Sequence, residues 1–310
     1  MITYYLSTVH GLEILAQPAA GCWINVVAPS AEEAAELQAM LRVPQDFITY
    51  PLDVGEMART ERENGATLMV LRVPYYQGQT ADIPYTTVPV GIILTESYIT
   101  TVCKTETDVI QALVAGRARG LLTGKPNRLT LQLLLLTASQ FLAYLREINK
   151  SVDRLEDQLQ RSLRNREVLE LLKFQKSLTF FATGLTSNEL MLQHLQKSRL
   201  FEPFAEEQDL LDDVLTEVQQ AIGMTNISSN ILSQMMDAFA SIISNNLNVV
   251  MKFLASVTII LSLPTMIASF YGMNVKLPLG GHEMAFLFIG IASVTIMMAT
   301  LLVFWRKDWL

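Results

Sequence analysis

A chain of 310 residues with a net charge of −7 is a poor partner for nucleic acid, because neutralising phosphates needs a Lys/Arg surplus on some face and no basic stripe is present. Its two cysteines, Cys22 and Cys103, have no metal-ligand spacing and are too few for a disulfide framework, so they read as reduced packing thiols of a cytosolic domain. The mean hydropathy of +0.30 is high for a soluble protein, and the excess is concentrated near the C-terminus: residues 1–246 are charged in the ordinary way and the rest almost uncharged.

The opening "MITYYLSTVHGLEILAQ" lacks a basic region ahead of an apolar core and does not read as a signal peptide. Residues 1 to about 120 mix strand and helix signals. "TYYLST", "CWINVVAP", "ATLMVLRVPYY", "VPVGIILTES" and "YITTVCKT" are β-branched or aromatic runs bounded by Gly, Pro or polar residues, the pattern of strands. "SAEEAAELQAMLRV" sets Ser30 as an N-cap before acids in a first helical turn, and "ETDVIQALVAGRARG" reads as another short helix. The expectation is an α+β domain with a small sheet.

From Asn127 onward the pattern is helical. "LTLQLLLLTASQFLAYL", 129–145, is apolar but short, and it carries Gln132, Ser139 and Gln140, so it reads as a buried soluble helix. Ile148, Val152, Leu155, Leu159 and Leu163 recur every three or four residues among charges; after a turn expected around Pro203, Leu210, Leu211, Val214, Leu215, Val218 and Ile222 do the same. With no proline between Pro203 and Pro264, one helix is predicted from about 205 to about 271, roughly 100 Å long. Lipid accommodates only about 30 Å of it. The remainder would project as a stalk, packed on residues 150–200 and on copies of itself.

No charge occurs between Lys252 and Lys276, or between Glu283 and Arg306. Each run can cross a hydrocarbon layer of ~30 Å, which takes about 20 helical residues, and in lipid a helix pairs every backbone group internally. The two spans make a hairpin. Lys252, Arg306 and Lys307 flank one side, whereas the loop "GMNVKLPLGGHE" holds only Lys276 and Glu283, so the positive-inside bias puts both termini in the cytoplasm. Trp305 and Trp309 fit an inner aromatic belt, Phe270 and Tyr271 an outer one.

The first span is not uniformly apolar. Thr258, Ser262, Thr265 and Ser269 recur in helical steps, and the register runs back through Met251, Asn248, Ser244, Ser241 and Asp237. At ~100° per residue these form a stripe about 120° wide. Two uses are open: helix–helix packing, or a water-filled pore lined by the same helix from several subunits. One hairpin has too little wall for a pore, so the second use requires an oligomer. Continuation of the stripe to Asp237 favours the pore, since a carboxylate ring at its inner end concentrates cations. Pro264 removes one backbone bond of the span and can kink it.

"YGMN", 271–274, sits after the first of these two C-terminal spans, at the outer face, before a short loop, a second span and a tail ending "KDWL". In that context it resembles the signature of the CorA family of magnesium channels. The resemblance implies a membrane protein of the α+β class: an N-terminal α/β cytoplasmic domain, long stalk helices continuous with the first of two C-terminal transmembrane helices, and a homopentameric funnel in the cell membrane. The expected organisation is a cytoplasmic domain over 1–125, antiparallel helices over 126–204, a stalk over 205–248, a pore-lining span over 249–271, an extracellular loop over 272–283, a second span over 284–305 and a cytoplasmic tail over 306–310. It further implies that Gly272, Met273 and Asn274 form the outer selectivity ring, with Thr265 one polar ring further in. Ser262, Thr258 and Asn248 continue the pore lining, and Leu254 and Met251 form a hydrophobic gate. Asp237 would contribute to a regulatory divalent-ion site between subunits, faced by the acidic segment "PLDVGEMARTERE", 51–63, through Asp53 first and Glu56 second. The cargo implied is Mg2+, with Co2+ as a further ion, and the same Mg2+ regulates.

The chemistry suits an amide. Mg2+ gives up its water reluctantly, so neutral Asn oxygens that accept hydrogen bonds from bound waters can hold the hydrated ion without stripping it. Carboxylates there would bind too tightly for quick release. Three features depart from the family pattern: Lys276 near the mouth in place of an acidic loop, Asp308 after Arg306 and Lys307 in place of a lysine run, and Ser262 at a position apolar in some relatives. One rival keeps the fold and moves Zn2+, Co2+ or Ni2+, with His282 near the mouth. Another is a membrane-anchored scaffold, signalling protein or tethered enzyme; yet there is no GxSxG, P-loop or HExxH, and His10, His194 and His282 are scattered.

Overall fold

The computed structural model describes residues 1–9, 11–118, 120–161, 165–198, 205–275, 278, 283–307 and 309. The turn expected around Pro203, and the positions of His10, Leu163, Lys276, His282 and Asp308, lie outside the described residues. The chain divides into two units, Met1–Gln234 and Met235–Leu310.

The first unit is built on one mixed sheet. Its strands are β1 (Ile2–Thr8), β2 (Gly11–Leu15), β3 (Trp23–Val27), β4 (Arg59–Glu63), β5 (Ala66–Tyr76), β6 (Tyr85–Leu94) and β7 (Ile99–Cys103). The spatial order is β2-β1-β3-β7-β6-β5-β4. Only the β3–β7 pair is parallel; the others are antiparallel. All five expected strands are present. The expectation of a small sheet is corrected to seven strands, because β2 and β4 add an edge on each side.

Successive strand residues serve opposite faces. Trp23, Met69, Leu71 and Val73 enter one core, and Ile24, Val26, Leu68 and Val70 enter the other. Both faces are covered, which is why β5 reads as a nearly unbroken apolar run. One face is covered by α1 (Ala31–Leu41) and α2 (Gln45–Thr49) through Leu37, Leu41, Phe47 and Ile48. Ser30 caps α1: its hydroxyl accepts from the Glu33 amide at 3.1 Å while the Glu33 carboxylate accepts from the Ser30 amide at 2.9 Å.

The other face packs against α3 (Asp108–Val114), α4 (Pro126–Arg161), α5 (Asn165–Lys197) and the first part of α6 (Ala205–Tyr271). The apolar stretch at the start of α4 is buried here, as expected of a soluble helix: Leu129, Leu131, Leu133, Leu134 and Ala138 are all in this core. Each buried leucine contributes about 1.5–3 kcal/mol by leaving water, so the sheet gives this helix what lipid would otherwise offer. Leu211, Val214 and Val218 of α6 join the same core.

The second unit holds the C-terminal part of α6, from Met235, and α7 (Ala285–Arg306). Its most apolar windows have mean hydropathies of 1.9 in α6 and 2.4 in α7, with 11% and 0% of the window buried. Both helices are long and apolar enough to cross a membrane. Large side chains such as Leu261, Phe270, Phe286 and Ile291 are more than half exposed in the isolated chain, surface that requires lipid or neighbouring chains to cover it.

Candidate ion-conduction site

Helix α6 continues through Pro264 without a break to Tyr271. Within the second unit its side chains divide into two faces. Ser256 and Ile260 are buried and Leu263 and Ile267 are half-buried, whereas Met251, Leu254, Thr258, Ser262, Thr265 and Ser269 are exposed. At ~100° per residue the hydroxyl stripe lies roughly 160° from the covered face. The hydroxyls therefore stand on the side of the helix that its own unit leaves open. Asp237 and Asn248, further back in the same register, are also exposed.

The hydroxyl hydrogens are already engaged. Thr258 donates to the Leu254 carbonyl at 2.8 Å, Ser262 to Ile259 at 3.0 Å and Thr265 to Leu261 at 2.8 Å. Each oxygen keeps lone pairs directed outward. The stripe is thus a ladder of acceptors, and the waters around a cation are donors.

At the end of α6 the Gly272 amide donates to the Ala268 carbonyl at 2.9 Å, and the Met273 amide to Phe270 at 3.2 Å. The Tyr271 hydroxyl donates to the Pro278 carbonyl at 3.3 Å, tying the helix end to its loop. Among the described residues the non-glycine positions with left-handed backbone are Ala28, Arg42 and Asn64, so Asn274 is not a left-handed helix cap. Gly272 is not left-handed either, and a Cβ on it would meet only ordinary contacts at 3.5 Å. The turn out of the helix does not by itself demand glycine. Gly272, Met273 and Asn274 are all exposed.

The acidic segment belongs to the first unit. The Asp53 carboxylate accepts from the Gly55 amide at 2.9 Å, which leaves its second oxygen uncommitted among the described contacts. Glu56 is held by Arg59 at 2.7 Å, and Arg59 also binds Glu61 at 2.5 Å and lies over the Tyr50 ring. Of the two acids, Asp53 is the more available. Asp237 lies in the second unit, and the described residues contain no cluster of three His, Cys, Asp or Glu.

A family model described as CorA-like Mg2+ transporter protein matches residues 18–307. The chain belongs to this CorA-like family. Among solved structures, the CorA magnesium transporter of Methanocaldococcus jannaschii superposes with a TM-score of 0.86 at 22% identity, covering 100% of this chain and 99% of that one. The full-length CmaX protein gives a TM-score of 0.74 at 15% identity, covering 99% and 97%. The ZntB cytoplasmic domain of Vibrio parahaemolyticus RIMD 2210633 gives 0.63 at 10%, covering 78% and 98%. No curated protein matches. The CorA architecture, an N-terminal α/β unit followed by long helices and C-terminal apolar helices, is therefore that of this chain, and the family is one of membrane-integral transporters.

In this CorA-family chain the acidic segment has a support that the sequence did not reveal. Arg72, buried on β5, uses its guanidinium entirely on neutral oxygens: the Thr87 hydroxyl at 3.1 and 2.8 Å, the Thr87 carbonyl at 2.6 Å, and the carbonyls of Val54 at 2.7 Å and Glu56 at 2.9 Å. Burial lowers its pKa from the usual guanidinium range. Arg72 thus fixes the backbone on which Asp53 and Glu56 stand. Beyond the end of β4, α5 takes over the role of a neighbouring strand. Asn188 accepts from the Arg72 amide at 2.9 Å and donates to its carbonyl at 2.7 Å, while Ser187 accepts from the Ala58 amide at 2.8 Å. An arginine inside an apolar strand run was the one available signal, since a buried cation needs a dedicated set of acceptors.

Proposed function

We propose that this chain forms a homo-oligomeric, pentameric channel in the cell membrane that takes up Mg2+ passively, with both termini in the cytoplasm. The observation that carries the reading is the placement of the hydroxyl stripe, Thr258 to Ser269, opposite the face covered within its own unit. Copies arranged about an axis would turn those acceptors inward. Asn274, with Gly272 and Met273, would ring the outer mouth and hold the ion through its water shell. Met251 and Leu254 would close the passage by excluding water, with Asn248 beyond them. Inward movement needs no ATP: at ~100 mV a divalent ion gains about 4.6 kcal/mol.

Cytoplasmic Mg2+ bound by Asp237 and by Asp53 of a neighbouring subunit would bridge stalks and favour the closed state. When the ion leaves, the carboxylates repel and the stalks loosen. Co2+ is a further cargo to test. The Zn2+, Co2+ or Ni2+ alternative is the weaker one on the chemistry of the stripe: it offers hydroxyl and amide oxygens with the Met251 and Met273 thioethers, whereas those ions favour imidazole or thiolate. Membership of a transporter family removes the motive for the scaffold reading.

The test is flux into liposomes containing the purified protein. Asn274→Ala is expected to abolish selective Mg2+ uptake while the protein stays assembled; unaltered Mg2+ permeation would overturn the assignment. Asp237→Ala is expected to weaken inhibition by internal Mg2+, and unchanged inhibition would remove Asp237 from the regulatory site.

A further inference from the structure

A cleft of about 520 Å3 opens in the first unit between the end of the β5–β6 hairpin and the facing ends of α4 and α5. Its volume is in the range of small-molecule sites, roughly 300–1,000 Å3. One wall is aromatic: Tyr76, Tyr85 and Phe174. Tyr85 is held firmly in that wall: it is buried, its ring packs at a tilt against those of Tyr76 and Tyr144 with centroids 4.9 and 5.1 Å away, and its hydroxyl donates to Glu147 at 3.1 Å.

The charged part of the lining is mostly cationic. Arg154, Arg166 and Lys173 line the cleft against a single carboxylate, Glu170. Glu170 is taken up by Lys173 at 3.0 Å, and among the described residues no carboxylate is within ion-pairing distance of Arg154 or Arg166. Arg154 contacts only neutral oxygens, the Lys150 carbonyl at 3.2 Å and the Ser151 hydroxyl at 3.0 Å. Of the acids of this part of α4, Asp153 and Glu156 fall about 100° or more around the helix from the lining residues Ser151, Arg154, Leu155 and Gln158, and Asp157, about 60° from Arg154, does not line the cleft and makes no ion pair with that arginine. A chain of net charge −7 therefore separates its charges here, leaving two arginines beside an aromatic wall.

We infer that this cleft binds a nucleoside phosphate, its phosphate held by Arg154 and Arg166 and its base laid against Tyr76 and Phe174. Guanidinium forks match phosphate oxygens in charge and geometry, and aromatic faces stack on any base. Glu170 and the exposed Gln158 and Gln79 supply acceptors for ribose hydroxyls. The site uses none of the residues of the conduction stripe, so it stands or falls separately from the transport reading.

The test is equilibrium dialysis of the full-length protein in detergent with radiolabelled AMP, in chelator-containing buffer so that divalent ions play no part. Saturable binding with a Kd below about 1 mM is expected. Inorganic phosphate and adenosine, each lacking half of the contacts, should compete at least about tenfold more weakly than AMP. Arg154→Gln and Arg166→Gln should each weaken binding about tenfold or more, while Lys176→Gln, outside the cleft and paired with Asp82, leaves it unchanged. Phe174→Ala should bring AMP close to inorganic phosphate in affinity. Absence of saturable AMP binding, or binding indifferent to both arginine variants, overturns the inference. So does equal competition by inorganic phosphate or by a short-chain phosphatidylglycerol, which would assign the arginines to a bare anion or a lipid headgroup.

Discussion

Replacing Arg72 by Met removes a buried guanidinium whose contacts run to Thr87, Val54 and Glu56. Methionine approximates the length of the stem and removes the cost of burying a charge, so the loss is smaller than the sum of the hydrogen bonds. The carbonyls of exposed Val54 and half-buried Glu56 can turn to water, whereas Thr87 is only 2% exposed and its carbonyl loses its charged partner in a dry place. One buried acceptor left unsatisfied costs about 1–3 kcal/mol. Releasing the 54–58 backbone from its anchor adds to this, for a total of roughly 2–4 kcal/mol. For a unit of this size that is a fall in Tm of roughly 4–16 °C. The more specific readout is amide hydrogen exchange. The Glu56 amide donates to the Asp53 carbonyl and the Ala58 amide to Ser187, and both should exchange at least about tenfold faster in the variant than in the parent. Exchange at 54–58 unchanged, with Tm within about 2 °C, would refute the reasoning that Arg72 holds the acidic segment in place.

Gly184 of α5 lies against the same group: a Cβ there would be 2.9 Å from the Thr87 methyl and 3.4 Å from the Arg72 Cβ. Gly184→Ala should therefore cost about 1–3 kcal/mol by overpacking, and its effect combined with Arg72→Met should fall short of the sum, measured by thermal unfolding of single and double variants. Burial first, and then nearby Glu106, push the Cys103 thiol up to about 12 from an ordinary 9.0. Because the folded-state value is the higher one, the associated stability is present below about pH 9 and is lost as pH rises through about 12. Cys103 should accordingly resist iodoacetamide in the folded protein at about pH 8.5 and react once denatured, as read by mass spectrometry.

How far the fold could be read from the sequence depended on where each strand sits. Central strands are covered on both faces, so β3, β5, β6 and β7 announce themselves as apolar runs. The two strands that escaped, β2 and β4, are the two edges of the sheet. β4 reads Arg-Thr-Glu-Arg-Glu, a charged sequence that suits an edge by discouraging further pairing and carries no core signal. In the sequence the same five residues belong to the acidic segment 51–63, and in the fold one of them, Arg59, pairs with Glu56.

The sequence by itself determined the two uncharged spans, the hydroxyl register between them and the stalk, and the long helix from Ala205 to Tyr271, because helical periodicity and the absence of charge are local properties. Tertiary structure alone decided which face of α6 its own unit covers, how seven strands are ordered, and how Arg72, Thr87, Gly184 and Asn188 meet. Asn188 and Arg72 are 116 positions apart; no local pattern links them, and only tertiary packing brings α5 to pair the Arg72 backbone and brings Thr87 and the carbonyls of Val54 and Glu56 to the buried guanidinium.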